Sequence, residues 1–265
     1  MTIDVVLIGC GAMTAEVLAR LPADEARVTA VIVRPSGVAK ARGILPKDIE
    51  ILTSVDDLTA EPSVIAECAG HEAVAQHGEA VLRRNIDLIV ASVGALADRP
   101  LHDTLVRAAK DGGGRLILPA GAVAGIDALT AARAGGLSKV RYSSRKPPKS
   151  WKNTPAEKIA DLDRVSAPTI LYSGAADEAA RLYPQNANVA ATIALAGVGF
   201  DATEVQLIAD PDAAGNIHNI HAEGTFGAFD IEMRGKPLAS NPKTSMLAAL
   251  SVIRAIRNRD AAVVI

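Results

Sequence analysis

Val5-Val6-Leu7-Ile8-Gly9-Cys10-Gly11-Ala12-Met13-Thr14 is an apolar run that breaks into Gly-x-Gly and passes at once into a helical pattern. The run reads as a buried strand ending at Gly9, where a missing side chain permits a sharp bend. At Gly11 the same absence lets a pyrophosphate approach the amides of Ala12 and Met13 that open the next helix. Unpaired N–H groups and the positive end of the helix dipole favour an anion there. The stretch therefore predicts a dinucleotide site at Gly9, Gly11, Ala12 and Met13. Thr14 stands where the fingerprint has its third glycine, so close packing of helix on strand must be met some other way. Cys10 is read simply as a small residue that fits the turn.

Working outward, Arg27 to Val33 reads as a second buried strand that ends at Arg34-Pro35-Ser36. A fold that prefers NAD places Asp or Glu here to hold the ribose 2′-hydroxyl, whereas Arg accommodates a 2′-phosphate. Arg34 thus points to NADP, with NAD also accepted; a solvated Arg at a strand end is the plainer alternative. Strand patterns recur at Val64–Cys68, Ile86–Ser92 and Arg115–Leu118, alternating with helical patterns at Glu72–Arg84 and Leu101–Lys110. Alternation with short glycine-bearing turns predicts a parallel sheet covered on both faces. Ligands in such sheets collect beyond the carboxyl ends of the strands, so Gly70-His71, Ser92-Val93-Gly94 and Gly121-Ala122 are expected to border one crevice.

From about Gly125 the rhythm changes. A strand at Val140–Ser144 leads into the basic, proline-bearing Arg145-Lys146-Pro147-Pro148, and helices are predicted at Ala175–Leu182 and Asn186–Ala196. Strands at Glu204–Ala209, Asn216–Glu223 and Phe226–Met233 follow without intervening helices, which implies an antiparallel or mixed sheet. A helix from Asn241-Pro242 to Arg257 closes the chain, with Asn as N-cap and Pro as its first residue. The fold class expected is α/β: an N-terminal Rossmann-type parallel sheet, residues 1–121 with 241–265, and a second α+β catalytic and dimerisation domain, residues 122–240.

The 265 residues are 49% hydrophobic and carry a formal net charge of -2. A core is affordable, and nothing in the charge suits nucleic acid. No uninterrupted apolar stretch reaches the ~18 residues of a membrane span, and no cleavable leader pattern opens the chain. The expectation is a cytoplasmic protein with no membrane or nucleic-acid partner. Cys10 and Cys68 stand apart, with no spacing suited to a metal or a disulfide framework.

A nicotinamide site needs a group that manages a proton while hydride leaves carbon, and histidine titrates in the useful range. His77 and His102 read as packing or surface residues, while His71 at a strand's carboxyl end is a candidate contact. His218 and His221 share one strand on opposite faces, so pattern alone leaves the choice open. Asn188 reads as a helix cap or a contact to a carboxamide. Lys243, Thr244 and Ser245 place a cation and two hydroxyls at a helix start, a ready carboxylate site or a solvated cap. Arg145 and Lys146 could hold a carboxylate or lie in a surface loop.

Taken with Ile8-Gly9-Cys10-Gly11-Ala12, the segments Ser92-Val93-Gly94-Ala95-Leu96-Ala97-Asp98, Pro119-Ala120-Gly121-Ala122 and Arg145-Lys146-Pro147-Pro148 make the chain resemble the L-aspartate dehydrogenase family. Asn188-Val189-Ala190-Ala191-Thr192, Asn216-Ile217-His218 and Asn241-Pro242-Lys243-Thr244-Ser245, in that order, are the most specific part of the likeness. The resemblance implies cofactor contacts at Ala122 and Asn188 and an active-site histidine at His218. It also implies NAD(P)-dependent oxidative deamination of L-aspartate to iminoaspartate, feeding NAD biosynthesis, and by family analogy a homodimer. Another amino-acid dehydrogenase or reductase of the homoserine or dihydrodipicolinate type would fit the same plan. A non-catalytic dinucleotide sensor would keep Gly9 and Gly11 but need no proton handler.

Overall fold

The computed structural model describes residues 2–264, apart from the side chains of Gln185, Pro242 and Lys243. Contacts divide the chain into two compact units, Met1–Pro119 with Ala248–Ile265, and Ala120–Leu247. In the first, β1 (Ile3–Ile8), α1 (Ala12–Arg20), β2 (Ala26–Ile32), α2 (Val38–Ile44) and β3 (Glu50–Leu52) are followed by β4 (Val64–Glu67), α3 (His71–Arg83), β5 (Asp87–Val90), α4 (Arg99–Gly112) and β6 (Leu116–Ile117). The six strands lie in the order β3-β2-β1-β4-β5-β6 and their pairs are parallel. This is the Rossmann-type order, and it reverses direction between β1 and β4, where such sheets take their ligands. Val5, Leu7, Val31, Ala66 and Ile89 are buried, which is why β1, β2, β4 and β5 read as continuous apolar runs instead of alternating ones.

Short turns are set by local chemistry. Asp98 caps α4 by accepting from Leu101 N at 3.0 Å, and Gly113 ends it at φ +89. Asp87, buried at the start of β5, accepts from the Arg115 guanidinium and main chain and from Arg259 Nε. Desolvation pushes the Asp87 carboxyl up, but these donors outweigh it and hold the group below the usual carboxylate range.

The second unit holds α5 (Ile126–Gly135), β7 (Leu137–Lys146), β8 (Thr169–Ala175), α6 (Ala176–Leu182), α7 (Ala187–Ala196), β9 (Thr203–Ala209), β10 (Asn216–Gly224), β11 (Gly227–Gly235), β12 (Pro237–Leu238) and β13 (Asn241–Ser245). Its main sheet runs β11-β10-β7-β9-β8, mixed in direction, with β7 and β9 parallel and the other pairs antiparallel. Val140 and Tyr142 on β7, Val205 and Leu207 on β9, and Ile220 and Ala222 on β10 pack with Leu129 of α5, Ala176 and Ala179 of α6 and Ile193 of α7. The opposite face carries Arg141, Ser143, Glu204, Gln206, Asn219 and His221 along a groove.

The last helix, α8 (Met246–Arg257), starts later than its sequence suggests, because Asn241–Ser245 pairs with Pro237–Leu238 as a two-stranded ribbon. Asn241 and Pro242 are therefore strand residues and not a cap. Val252, Ile253 and Ile256 of α8 join the core of β1 and β2. Each such burial contributes about 1.5–3 kcal/mol, whereas an exposed ion pair such as Arg257–Glu25 is largely screened by solvent, so packing holds the helix in place. Sequence pattern missed α2, β3 and α5: the first is about two turns long with Gly43 inside it, the second three residues, the third Ala-rich with little polar contrast.

Gly9 sits at φ +102, and a Cβ there would lie 2.8 Å from Ala69 Cβ, whereas one at Gly11 would meet nothing within 4 Å. Gly9→Ala is expected to lower unfolding free energy by about 2 kcal/mol or more, while Gly11→Ala leaves it within about 0.5 kcal/mol. Urea unfolding of the two variants side by side checks this.

Candidate active site

At the carboxyl end of β1 the nine-residue helix α1 begins with Gly11 as its N-cap, with no side-chain cap and no acid in its first turn. A side chain at Gly11 would meet nothing within 4 Å, so the space in front of it is open, at a helix start whose amides favour an anion. Thr14 answers the missing third glycine. Its hydroxyl is buried and donates to Gly9 O at 2.8 Å, tying the first turn of the helix to the glycine loop. Arg34 is exposed just after β2, and Ser36 is exposed in the 3-10 turn that follows.

The loops after β4 and β5 are held by a residue that the sequence reading passed over. Glu67 is fully buried; its Oε1 accepts from Ala69 N, Gly70 N and Ser92 Oγ at 2.7, 2.6 and 3.0 Å, and Oε2 accepts from Ser92 N at 2.9 Å. Burial pushes its carboxyl up and the four donors pull it back only in part. The signal was available: one carboxylate closing an otherwise apolar strand, Val64-Ile65-Ala66-Glu67.

In the second unit, antiparallel pairing sets His218 opposite Ser144 of β7 and Met233 of β11. Residues directly paired across strands share a face, as do alternate residues along one strand, so Tyr142, Ser144, Lys146, His218 and Ile220 all lie on the helix-covered side. His218 is 4% exposed, with Nδ1 2.8 Å from the Tyr142 hydroxyl and the two rings stacked 6.0 Å apart. Nε2 has no partner among the described residues. Burial first, and then the charge of Lys146, bring the His218 imidazole down to about 4. Burial raises the Tyr142 phenol, with the Ser144 hydroxyl pulling the other way, so the phenol stays protonated. Lys146, brought down to about 8 by desolvation, donates to Asn186 Oδ1 at 2.5 Å and lies 5.2 Å from the centre of the Trp151 ring. Arg145 points elsewhere, to buried Asp210 at 2.5 Å.

The remaining expected residues are placed as follows. Ala122 is half-buried in the turn after Gly121. Asn188 is exposed and lies within α7, whose N-cap is Asn186, so the reading of Asn188 as a cap is corrected; the chain enters the helix two residues earlier. Thr244 and Ser245 lie on β13, and the idea that they sit at a helix start fails with it; Asn241 Nδ2 instead donates to Thr244 Oγ1 at 3.0 Å. The side chain of Lys243 lies outside the described residues. His71 opens α3 half-buried and His77 packs inside that helix. His221, on the open face, is gripped between Glu223 at 2.6 Å and Asp230 at 2.8 Å, which raise its imidazole. Among the described residues no His, Cys, Asp and Glu cluster suits a metal, and no helix is long and apolar enough to cross a membrane.

Residues 127–259, which span the imidazole, Lys146 and the helices over them, match the family described as aspartate dehydrogenase, C-terminal. The chain belongs to the aspartate dehydrogenase family. Residues 9–119 match the NAD binding domain of homoserine dehydrogenase. The L-aspartate dehydrogenase of Pseudomonas aeruginosa is 46% identical, with 98% of this chain and 99% of that protein covered. That of Serratia proteamaculans is 48% identical over 96% of each. A crystal structure of aspartate dehydrogenase from Thermotoga maritima superposes with a TM-score of 0.77 at 25% identity, covering 100% of both chains. Dihydrodipicolinate reductase from Paenisporosarcina, at 14% identity and a TM-score of 0.54, shares the fold alone. As a family member the chain is an NAD(P)-linked oxidoreductase.

The depressed His218 has a signature in stability. An unfolded imidazole takes up its proton near 6.5 and the folded one only near 4, so between those values the unfolded chain binds more protons and stability falls as the medium is acidified. The loss expected from this group is about 3 kcal/mol by pH 4. Denaturant titrations from pH 7 to pH 4 are expected to show that slope in the parent and a shallower one in His218→Gln.

Proposed function

We propose that this chain oxidises L-aspartate to iminoaspartate, which hydrolyses to oxaloacetate and ammonia, with His218 as its proton-handling residue. The observation that carries the reading is a buried, neutral imidazole with one nitrogen held by Tyr142 and the other open, in a chain of this family. A bound nicotinamide cofactor supplies the two-electron acceptor for the hydride lost from the substrate α-carbon. Gly9, Gly11, Ala12 and Met13 would hold its pyrophosphate, Arg34 would accommodate a 2′-phosphate when the cofactor is NADP, and Ala122 and Asn188 would make further contacts by analogy with the family.

With the Nδ1 proton donated to the Tyr142 oxygen, Nε2 presents a lone pair to the proton that the substrate amine must shed. Tyr142 fixes the ring and, being too buried to ionise, neither competes for that proton nor adds a charge. Thr244 and Ser245, with Lys243, stand as further candidates for substrate carboxylates. A homodimer is part of the same reading, with the polar face of the second sheet as the surface a twin would cover. So is a cytoplasmic setting, in keeping with two unpaired cysteines.

The test is His218→Ala assayed by cofactor reduction with L-aspartate. A loss of at least about a hundredfold in kcat, with NADP(H) affinity retained, is expected. Unchanged turnover removes His218 from the reaction, and a wild-type enzyme indifferent to L-aspartate removes the substrate.

A further inference from the structure

Among the described residues the ammonium of Lys146 has no anion to meet. It continues the row Tyr142, Ser144, Lys146 on the covered face of β7, one pairing step along from the position opposite His218. An ammonium carries three donors; here one reaches Asn186 and, among the described residues, no carboxylate pairs with it. The acid next to its paired residue Ala209, Asp210, follows β9 and is taken up by Arg145. Around it stand His218 on β10, Trp151 from the loop after β7 and Asn186 from the turn before α7.

One hydroxyl oxygen of this unit, Ser245 Oγ, is buried without a hydrogen-bond partner among the described residues. Ser144 faces His218 directly, and Ser245 lies beside Gly235, the residue paired with Asn216 at the start of β10. An orphaned buried hydroxyl and a desolvated cation are each unfavourable until something completes them. A ligand carboxylate supplies both the charge and the acceptors.

We propose that Lys146 anchors a carboxylate of the substrate, with Asn186 directing the ammonium, and thereby selects for an amino diacid. This rests on the reaction proposed above. It adds a consequence for His218: an arriving carboxylate neutralises the charge that suppresses the imidazole, so the ring becomes the better proton acceptor when substrate is in place.

The experiment uses the full-length enzyme. Lys146→Met and Lys146→Gln, checked for folding by thermal unfolding, are expected to raise KM for L-aspartate on the order of a hundredfold while kcat changes much less. The second arm needs no variant: calorimetric Kd for succinate, a diacid without an amine, on wild-type enzyme saturated with NADP+. The Kd is expected to hold steady below Lys146's value of about 8 and to climb as pH rises through it, because only the ammonium binds. An unchanged KM in a folded variant overturns the proposal; if neither variant folds, a succinate Kd that stays flat from pH 7 to 9.5 does so. Wild-type enzyme that binds succinate in this pH-dependent way but does not turn over L-aspartate contradicts the assigned reaction and leaves the carboxylate anchor standing.

Discussion

The antiparallel register of β10 against β7 is the constraint on which the site depends. A strand's side chains alternate faces, so a slip of one residue would carry His218 to the open polar face and bring Asn219 and His221 toward the helices. The register is held by nine residues of β10 paired on one side with β11 and most of them on the other with β7. It is also held by what each face carries: Ile220 and Ala222 are buried with His218, whereas His221 is satisfied outside by Glu223 and Asp230. Moving either imidazole would strand it, since a buried ring needs the Tyr142 hydroxyl and an ion-paired one needs solvent.

Placed on that face, His218 and Lys146 shape each other. Both are bases taken out of water, and taking them out of water favours the uncharged form of each. The Lys146 amine holds its proton far more tightly than the ring does, so the imidazole is the group that stays neutral. The arrangement costs stability, and the same fields prepare a neutral base beside a fixed cation. In the first unit Glu67 shows the complementary device: a buried carboxyl with no counter-ion among the described residues, satisfied by main-chain and hydroxyl donors, which fixes the loops at the carboxyl ends of β4 and β5.

Much of the parallel sheet was legible because its strands are apolar on both faces and its turns carry glycine. The elements that escaped, α2, β3 and α5, are short or lack contrast between faces. At the C-terminus Asn-Pro resembled a helix start, but pairing of Asn241–Ser245 with Pro237–Leu238 overrode that local preference. The two-residue period could name His218 and His221 as alternatives and could not choose between their faces; resemblance singled out His218, and the face depends on cross-strand neighbours far away in sequence. Arg145-Lys146 read equally as a carboxylate site or a surface loop for the same reason. Their partners, Asp210 and Asn186, lie 65 and 40 residues further along the chain. Glu67 was readable and unread, being a lone carboxylate inside an apolar strand.

The most direct measurement is a nuclear magnetic resonance titration of the full-length protein with labelled histidine rings, assigned to His218 by comparison with His218→Gln. The account predicts that the His218 ring takes up no proton until the pH approaches about 4, and that above this it is the tautomer with its proton on Nδ1, leaving Nε2 bare. A ring that titrates near 6.5, or one that carries its proton on Nε2, would contradict it.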